Sequence, residues 1–259
     1  MVFQPKCVLV TGATSKGIGR SLAHAIYDLP SEPKVIITGR RQDRLDAFSA
    51  GKDRAYGKKF DQMVGREDLI SWVASLLSDH PDLDTIVLNA GIQLRTNFAK
   101  AATFDLEAQL ENEIYMNYTS QMILISAFIP YLLECAAKGK DAPRLVIMTS
   151  NLGIVPFADF SNYCATKSAL HSLAMSLRKS LAQKGVKVIE ILPPLTESEL
   201  HDPAMIERMS KVWMPLPAFT SAVMKGLEHE QDVIAVGRAE AIYAAHEAGK
   251  QEKVMLMFP

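Results

Sequence analysis

Seven short apolar runs rich in β-branched residues recur along the 259 residues of this chain: CVLV near residue 7, KVIIT near 35, AYGKKF near 55, TIVLN near 85, RLVIM near 144, VKVIEIL near 186 and DVIAVG near 232. Each is followed by turn residues or by a helical pattern. Strands apolar at successive positions have no face to give to water. Alternating with helices, they predict a parallel sheet covered on both sides, with right-handed crossovers. The expected fold is therefore α/β, a doubly wound parallel sheet of about seven strands flanked by helices, in one domain spanning residues 1–259. Residues 195–217, rich in Pro, Met and charge, break the alternation and predict a helical lid or an irregular excursion. In the segment after residue 160, Leu170, Leu173, Leu177 and Leu181 recur at helical spacing, a stripe for the core or for a subunit contact.

The totals remove several classes of function. With 48% hydrophobic residues the chain can bury a large core,. A net charge of -1 and a pI near 6.6 create no field that would recruit nucleic acid or an acidic membrane,. Cys7, Cys135 and Cys164 are too far apart for a metal knuckle, and their odd number argues against a disulfide framework,. A reducing, cytoplasmic compartment is expected, in keeping with an amino terminus that runs directly into KCVLVTGA. The longest apolar run, Met122 to Leu133, contains Ser126 and Pro130 and is shorter than the ~20 residues of a membrane span, so it predicts a core helix. None of the six histidines has a metal-like neighbour in sequence, and no metal is expected,.

The first strand runs into TGATSKGIGR, in which Gly12, Gly17 and Gly19 follow the pattern Thr-Gly-x-x-x-Gly-x-Gly. Glycines at this spacing let the backbone turn sharply and approach a pyrophosphate, whose charge meets the amides and positive dipole of the next helix. A strand before and a helix after make this the signature of a Rossmann-type dinucleotide site, with Gly12, Ser15, Lys16, Gly17, Ile18 and Gly19 as its loop. An acidic residue that would hold the ribose hydroxyls of NAD belongs at the end of the second strand. Gly39 and Arg40 stand there instead. A guanidinium can grip a 2'-phosphate, and Lys16 could reach the same group, so NADP(H) is expected rather than NAD(H). Asp61, after the third strand, could accept from the adenine amino group or serve as a helix cap. Asn89, Ala90 and Gly91 end the fourth strand with small residues that leave room beside the sheet.

Ser150, Tyr163 and Lys167 lie in MTSNLGIVPFADFSNYCATKSAL. Tyr163 and Lys167 are four apart and share a helix face. A phenol titrates near pH ~10, and the spacing predicts that the Lys167 ammonium lowers it, making Tyr163 a proton donor for a carbonyl becoming an alcohol. Ser150 ends the RLVIMTS strand and would bring its hydroxyl beside the tyrosine. Taken alone, the Tyr163–Lys167 spacing is a weak signal that suits an ordinary surface pair better, and the other motifs reverse that balance.

With the glycine loop, LNAG, Ser150, Tyr163 and Lys167 in this order, the chain resembles the short-chain dehydrogenase/reductase family from about Cys7 to Ser198. Within it the chain is most similar to the DltE-like oxidoreductases, through DLDTIVLNAGIQ, ENEIYMNY, YCATKSALHSLAMSLR, IEILPP and DVIAVG. The resemblance implies that Tyr163 is the general acid, that Lys167 lowers its pKa and binds nicotinamide ribose, and that Ser150 orients the carbonyl. It also implies that Asn117, otherwise a satisfied core amide, holds a water linking Lys167 to solvent. Pro193, Thr196 and Ser198 fall where the family has Pro-Gly-x-Val-x-Thr around the nicotinamide amide. Here Pro194 replaces the Gly, Thr196 the Val and Ser198 the Thr. A homodimer or homotetramer through residues 110–135 and 161–183 is implied as well.

Gln93, Leu152, Phe157, Phe160, Leu195, Met205, Met209, Trp213 and Met214 form a mainly apolar set that would suit a hydrophobic carbonyl compound or its alcohol. The same residues could be core or subunit contact. The reaction expected is NADPH-dependent reduction of a ketone or aldehyde. A sensor that binds NADPH without reducing anything, and a cofactor-scaffolded isomerase or cyclase, are the alternatives.

Overall fold

The computed structural model describes residues 3–96, 98, 106–139 and 142–257. Along the chain run β1 (Cys7–Val10), α1 (Ile18–Tyr27), β2 (Lys34–Gly39), α2 (Gln42–Ser49), β3 (Ala55–Lys59), α3 (Arg66–Asp79), β4 (Thr85–Leu88), α4 (Leu106–Ile114), α5 (Ser120–Ala137) and β5 (Arg144–Met148). Then come α6 (Ser161–Ala182), β6 (Lys187–Leu192), α7 (Ile206–Met209), α8 (Leu216–Glu228), β7 (Val233–Ala235), α9 (Arg238–His246) and α10 (Lys250–Leu256). The seven strands form one parallel sheet in the order β3-β2-β1-β4-β5-β6-β7, and each expected strand is present.

Strands β1, β4 and β5 are buried at every position, because helices cover both faces,. Alternation sorts their side chains: Val8 and Val10 face a core shared with α1 and α8, while Cys7 and Leu9 face the opposite core, shared with α3, α5 and α6,. Leu170 and Leu181 are buried in that second core, with Leu173 and Leu177 packed against it, so the leucine stripe of α6 is core. Each fully buried leucine contributes about 1.5–3 kcal/mol. Helical residues Gln109–Ala137 are long and apolar enough by composition to cross a membrane. In the fold, Ile123, Leu124, Phe128 and Leu132 of this stretch pack into the same core.

Strand order reverses between β1 and β4, and the crevice beyond their carboxyl ends is where ligands bind in such sheets,. The excursion after β6 is mostly irregular. It is pinned by a bridge between Thr196 and Met214 and contains a 3-10 turn, Pro203–Met205, ahead of the single turn of α7. It ends where α8 begins at Leu216, so Pro217 lies in that helix's first turn, where a missing N–H costs nothing,.

Candidate active site

Beyond the end of β5, Ser150 is extended, and the backbone N–H of Leu152 donates to its Oγ at 3.1 Å, closing a short turn. That turn lies directly on α6. A Cβ on Gly153 would come within 2.8 Å of the Lys167 carbonyl carbon, and Ser168 donates to the Gly153 carbonyl at 2.7 Å. Glycine is demanded here by a close backbone approach, and the approach brings Ser150 onto Tyr163. Tyr163 and Lys167 are buried, 6% and 3% exposed, and the Ser150 side chain is near enough to favour the ionised phenol.

The electrostatics correct the sequence expectation. Burial pushes the phenol of Tyr163 above its ordinary value, outweighing the hydrogen bond from Ser150, and the charges of Glu113 and Cys164 push the same way,. Burial lowers Lys167 to about 8, with Glu113 opposing. Lys167 Nζ donates to the Met148 carbonyl at 2.9 Å and lies 5.6 Å from the centroid of the Tyr163 ring. The phenol is thus held toward its protonated form, not already acidified by its neighbour. Desolvation of two side chains on a shared, buried face is the reason.

Asn117 sits in a π-helical turn, Tyr115–Thr119, and is fully buried. Its Oδ1 accepts from Ile92 N at 2.8 Å, and its Nδ2 donates to Ile92 O at 2.8 Å and Thr166 Oγ1 at 3.2 Å. It ties the loop after β4 to α6, behind the cleft wall. Glu113, unmarked by any sequence motif, does similar work. Its carboxylate accepts from Leu94 N at 2.7 Å and from Asn162 Nδ2 at 2.8 Å, which holds the residue before Tyr163. Burial raises its pKa.

The glycine loop closes the other end of the cleft. Gly12 has φ +67°, and a Cβ there would lie 2.6 Å from the Ala90 backbone; one on Gly19 would lie 2.3 Å from Asn89 Nδ2. Asn89 Nδ2 in turn donates to the Thr11 carbonyl at 2.9 Å. LNAG and the first two turns of the loop are therefore built as one unit. A Cβ on Gly17 would fall 2.7 Å from Ser198 Oγ, so this glycine admits the segment after β6.

A cleft of about 780 Å³ joins these parts, within the range of small-molecule sites,. It is lined by Gly12, Ser15, Gly17, Ile18, Gly19, Arg40, Asp61, Asn89, Ala90, Gly91, Ser150, Tyr163, Lys167, Pro193, Thr196 and Ser198. Lys16 is exposed beside the glycine loop and is not among the lining residues, and its backbone carbonyl accepts from Glu199 N at 2.9 Å. Asp61 Oδ1 accepts from Met63 N at 3.1 Å, a local turn that leaves its second oxygen for other use.

On the substrate side Gln93, Leu152, Phe157, Phe160, Leu195, Met205 and Met209 line the cleft. Trp213 and Met214 do not. The Trp213 ring stacks on His201, at 6.3 Å between centroids, and packs against the cluster of Phe160, Cys164 and Met209, while Met214 packs against the core shared with α1 and α8. Val212 lines the cleft at that point. His201, which the sequence reading missed, pairs with Gln93 Oε1 at 3.3 Å and with the Thr196 carbonyl at 2.7 Å.

The lining fits a dinucleotide by its own chemistry: a glycine cradle that Cβ atoms would fill, two arginines, Arg40 and Arg41, and a buried amide. That amide is Gln62, a third residue without a sequence signal, whose Nε2 has no hydrogen-bond partner. Away from the cleft, one trio among the described residues has metal-ligand chemistry, which the sequence spacing had concealed. Ligand atoms of Cys7, His80 and Asp82 lie within 4.8 Å of one another. Burial pushes the Cys7 thiol up to about 12, and Asp82 is already paired with Lys34 at 2.8 Å, so the trio makes no case for an ion.

A family model described as short chain dehydrogenase matches residues 6–208. The uncharacterized oxidoreductase DltE of Bacillus subtilis (strain 168) is 36% identical over 196 residues, 75% of this chain and 73% of that protein. A short-chain dehydrogenase from Streptomyces avermitilis superposes with a TM-score of 0.77 at 26% identity, covering 98% of this chain and 96% of the other. The closed form of a serine dehydrogenase complexed with NADP+ superposes with a TM-score of 0.72 at 27% identity, covering 84% and 87%.

Proposed function

Because the chain belongs to the short-chain dehydrogenase family, whose members are oxidoreductases, we propose that it reduces a ketone or aldehyde to the alcohol, reversibly, with NADPH and with Tyr163 as general acid. The observation that carries this reading is the buried phenol of Tyr163, which shares one cleft with Ser150, Lys167 and the glycine cradle.

In this reading Gly12, Ser15, Gly17, Ile18 and Gly19 hold the pyrophosphate, and Asp61 and Gln62 meet the adenine. Asn89, Ala90, Gly91, Lys167, Pro193, Thr196 and Ser198 flank the nicotinamide half. Arg40 and Arg41 favour the 2'-phosphate, since a guanidinium beside a phosphate makes a charge-assisted bond of about 1.5–3 kcal/mol. The NADP+ in the serine dehydrogenase complex supports that choice. When bound, the reduced nicotinamide supplies the hydride.

The residues do the rest. Leu152 N donates to Ser150 Oγ, which leaves the hydroxyl proton to serve the phenol or, in the reaction, the carbonyl oxygen. Burial keeps the proton on Tyr163 until that oxygen gains charge; the phenol then gives it up, and an alcohol forms. The phenolate left behind is a buried anion, and here the charge of Lys167 acts, stabilising the product of proton transfer. Asn117 and Glu113 act as positioning residues for the loop and helix that carry these groups. The apolar wall of Leu152, Phe157, Leu195 and Met209, with Gln93 as its polar member, suits a hydrophobic substrate.

The test is to follow NADPH loss against a panel of hydrophobic aldehydes and ketones while quantifying the alcohols formed. One alcohol per NADPH consumed is expected. Tight NADPH binding without consumption across the panel would refute the reading.

A further inference from the structure

Glu199 reaches out of the segment after β6 and places its carboxylate on two arginines beside the glycine loop. Its oxygens lie 3.0 Å from Arg41 Nη1 and 2.9 Å and 3.0 Å from Arg44 Nη1. Its backbone N–H donates to the Lys16 carbonyl at 2.9 Å, and Ser198, the residue before, lies against Gly17. Arg44 also donates to the Thr14 carbonyl at 3.2 Å, which fixes that guanidinium on the loop's own backbone. Arg40, one residue before Arg41, is exposed and has no ion-pair partner among the described residues. The two arginines of α2 and its cap thus form an anion seat, and the seat is taken by a carboxylate of the chain itself.

We infer that Glu199 is a specificity-determining residue for the nucleotide: its carboxylate occupies the Arg41–Arg44 seat and competes there with the 2'-phosphate of NADP(H). The inference rests on the NADPH reading above. A nucleotide without the phosphate has nothing to place on these guanidiniums and leaves Glu199 where it is. One that carries it brings an additional acceptor of higher charge, and the two anions contend for the same N–H groups. The glutamate side chain is about a third exposed and Arg41 somewhat more, so the contact is screened and the competition is modest,. Its effect weakens with added salt.

Calorimetric titration of the full chain with NADP+ and with NAD+ tests this, using wild type, Glu199→Gln, Arg41→Ala and the double variant. Glu199→Gln is expected to tighten NADP+ binding about three- to fivefold and to leave NAD+ binding unchanged. The gain should disappear in the Arg41→Ala background and shrink at high ionic strength. Unchanged or weaker NADP+ binding by Glu199→Gln would overturn the inference, because the carboxylate would then be a prop for the arginines. Equal tightening of both nucleotides would overturn it too, since only general repulsion would have been relieved. If wild type bound NADP+ no better than NAD+, the cofactor reading itself would fall, and this inference with it.

Discussion

Lys167 Nζ lies 5.6 Å from the centroid of the Tyr163 ring while donating to the carbonyl oxygen of Met148 at 2.9 Å. The ammonium is thus held against the end of β5, beneath the phenol, with burial lowering its pKa to about 8. It is charged below that value and loses its charge above it. The kcat/KM for carbonyl reduction should therefore fall as pH rises through about 8. Lys167→Met should remove that limb and lower kcat by about a hundredfold or more, whereas Lys167→Arg, which stays charged, should shift the limb upward. A pH profile of kcat/KM for the three proteins checks it.

Arg40 stands exposed at the end of β2 and lines the cleft. Arg40→Asp should lower the ratio of NADPH to NADH efficiency by roughly ten- to a hundredfold, the worth of one charge-assisted bond. The ratio of the two kcat/KM values measures it, and an unchanged ratio would remove Arg40 from the phosphate contact.

Gly153 lets the Ser150 turn meet α6, where an added Cβ would stand 2.8 Å from the Lys167 backbone. Backbone there cannot swing aside as a side chain can. Gly153→Ala should cost about 1–3 kcal/mol of stability and depress kcat more than it raises the KM for NADPH, as Ser150 is pushed off Tyr163. Denaturant titration alongside steady-state kinetics separates the two effects.

One turn beyond Lys167, His171 Nδ1 contacts Glu190 Oε1 at 2.8 Å and Nε2 contacts Glu247 Oε2 at 3.1 Å, all three buried. Thr149 also donates to Glu190, at 2.7 Å. Burial alone would lower His171, but Glu190 and Glu247 overcome it and raise the pKa above 6.5. Its contribution to stability is full below about 6.5 and is lost as pH rises through the higher folded value. Glu247 is held below 4.5, through His171 and Lys250 against the opposing effect of burial. Its contribution is present above about 4.5 and is lost as pH falls through the folded value. His171→Phe should lower stability by about 3 kcal/mol, or Tm by roughly 6–12 °C, near pH 6, with the deficit shrinking toward pH 9. Melting curves across that range decide it.

The strands were legible because each is buried on both faces and so reads as an unbroken apolar run, as in CVLV and RLVIM. Local spacing also carried Tyr163, Lys167 and the glycine loop, since the elements bearing them follow their own periodicity. What stayed hidden is long-range. Glu199 meets Arg41 across a separation of 158 positions, and nothing in either segment's composition announces the pairing. Large apolar residues in a lid suit a pocket, a core and a subunit contact alike, so composition does not reveal that the Trp213 ring stacks on His201 instead of lining the cleft. The rise in the Tyr163 pKa could not be read from a four-residue spacing, which reports proximity but not desolvation.

The central claim is that the proton reaching the substrate oxygen comes from Tyr163. Tyr163→Phe should fold, bind NADPH within about threefold of wild type and lose about a thousandfold or more in the rate of NADPH-coupled alcohol formation. A variant that binds NADPH equally well and still forms alcohol at near the wild-type rate would contradict it.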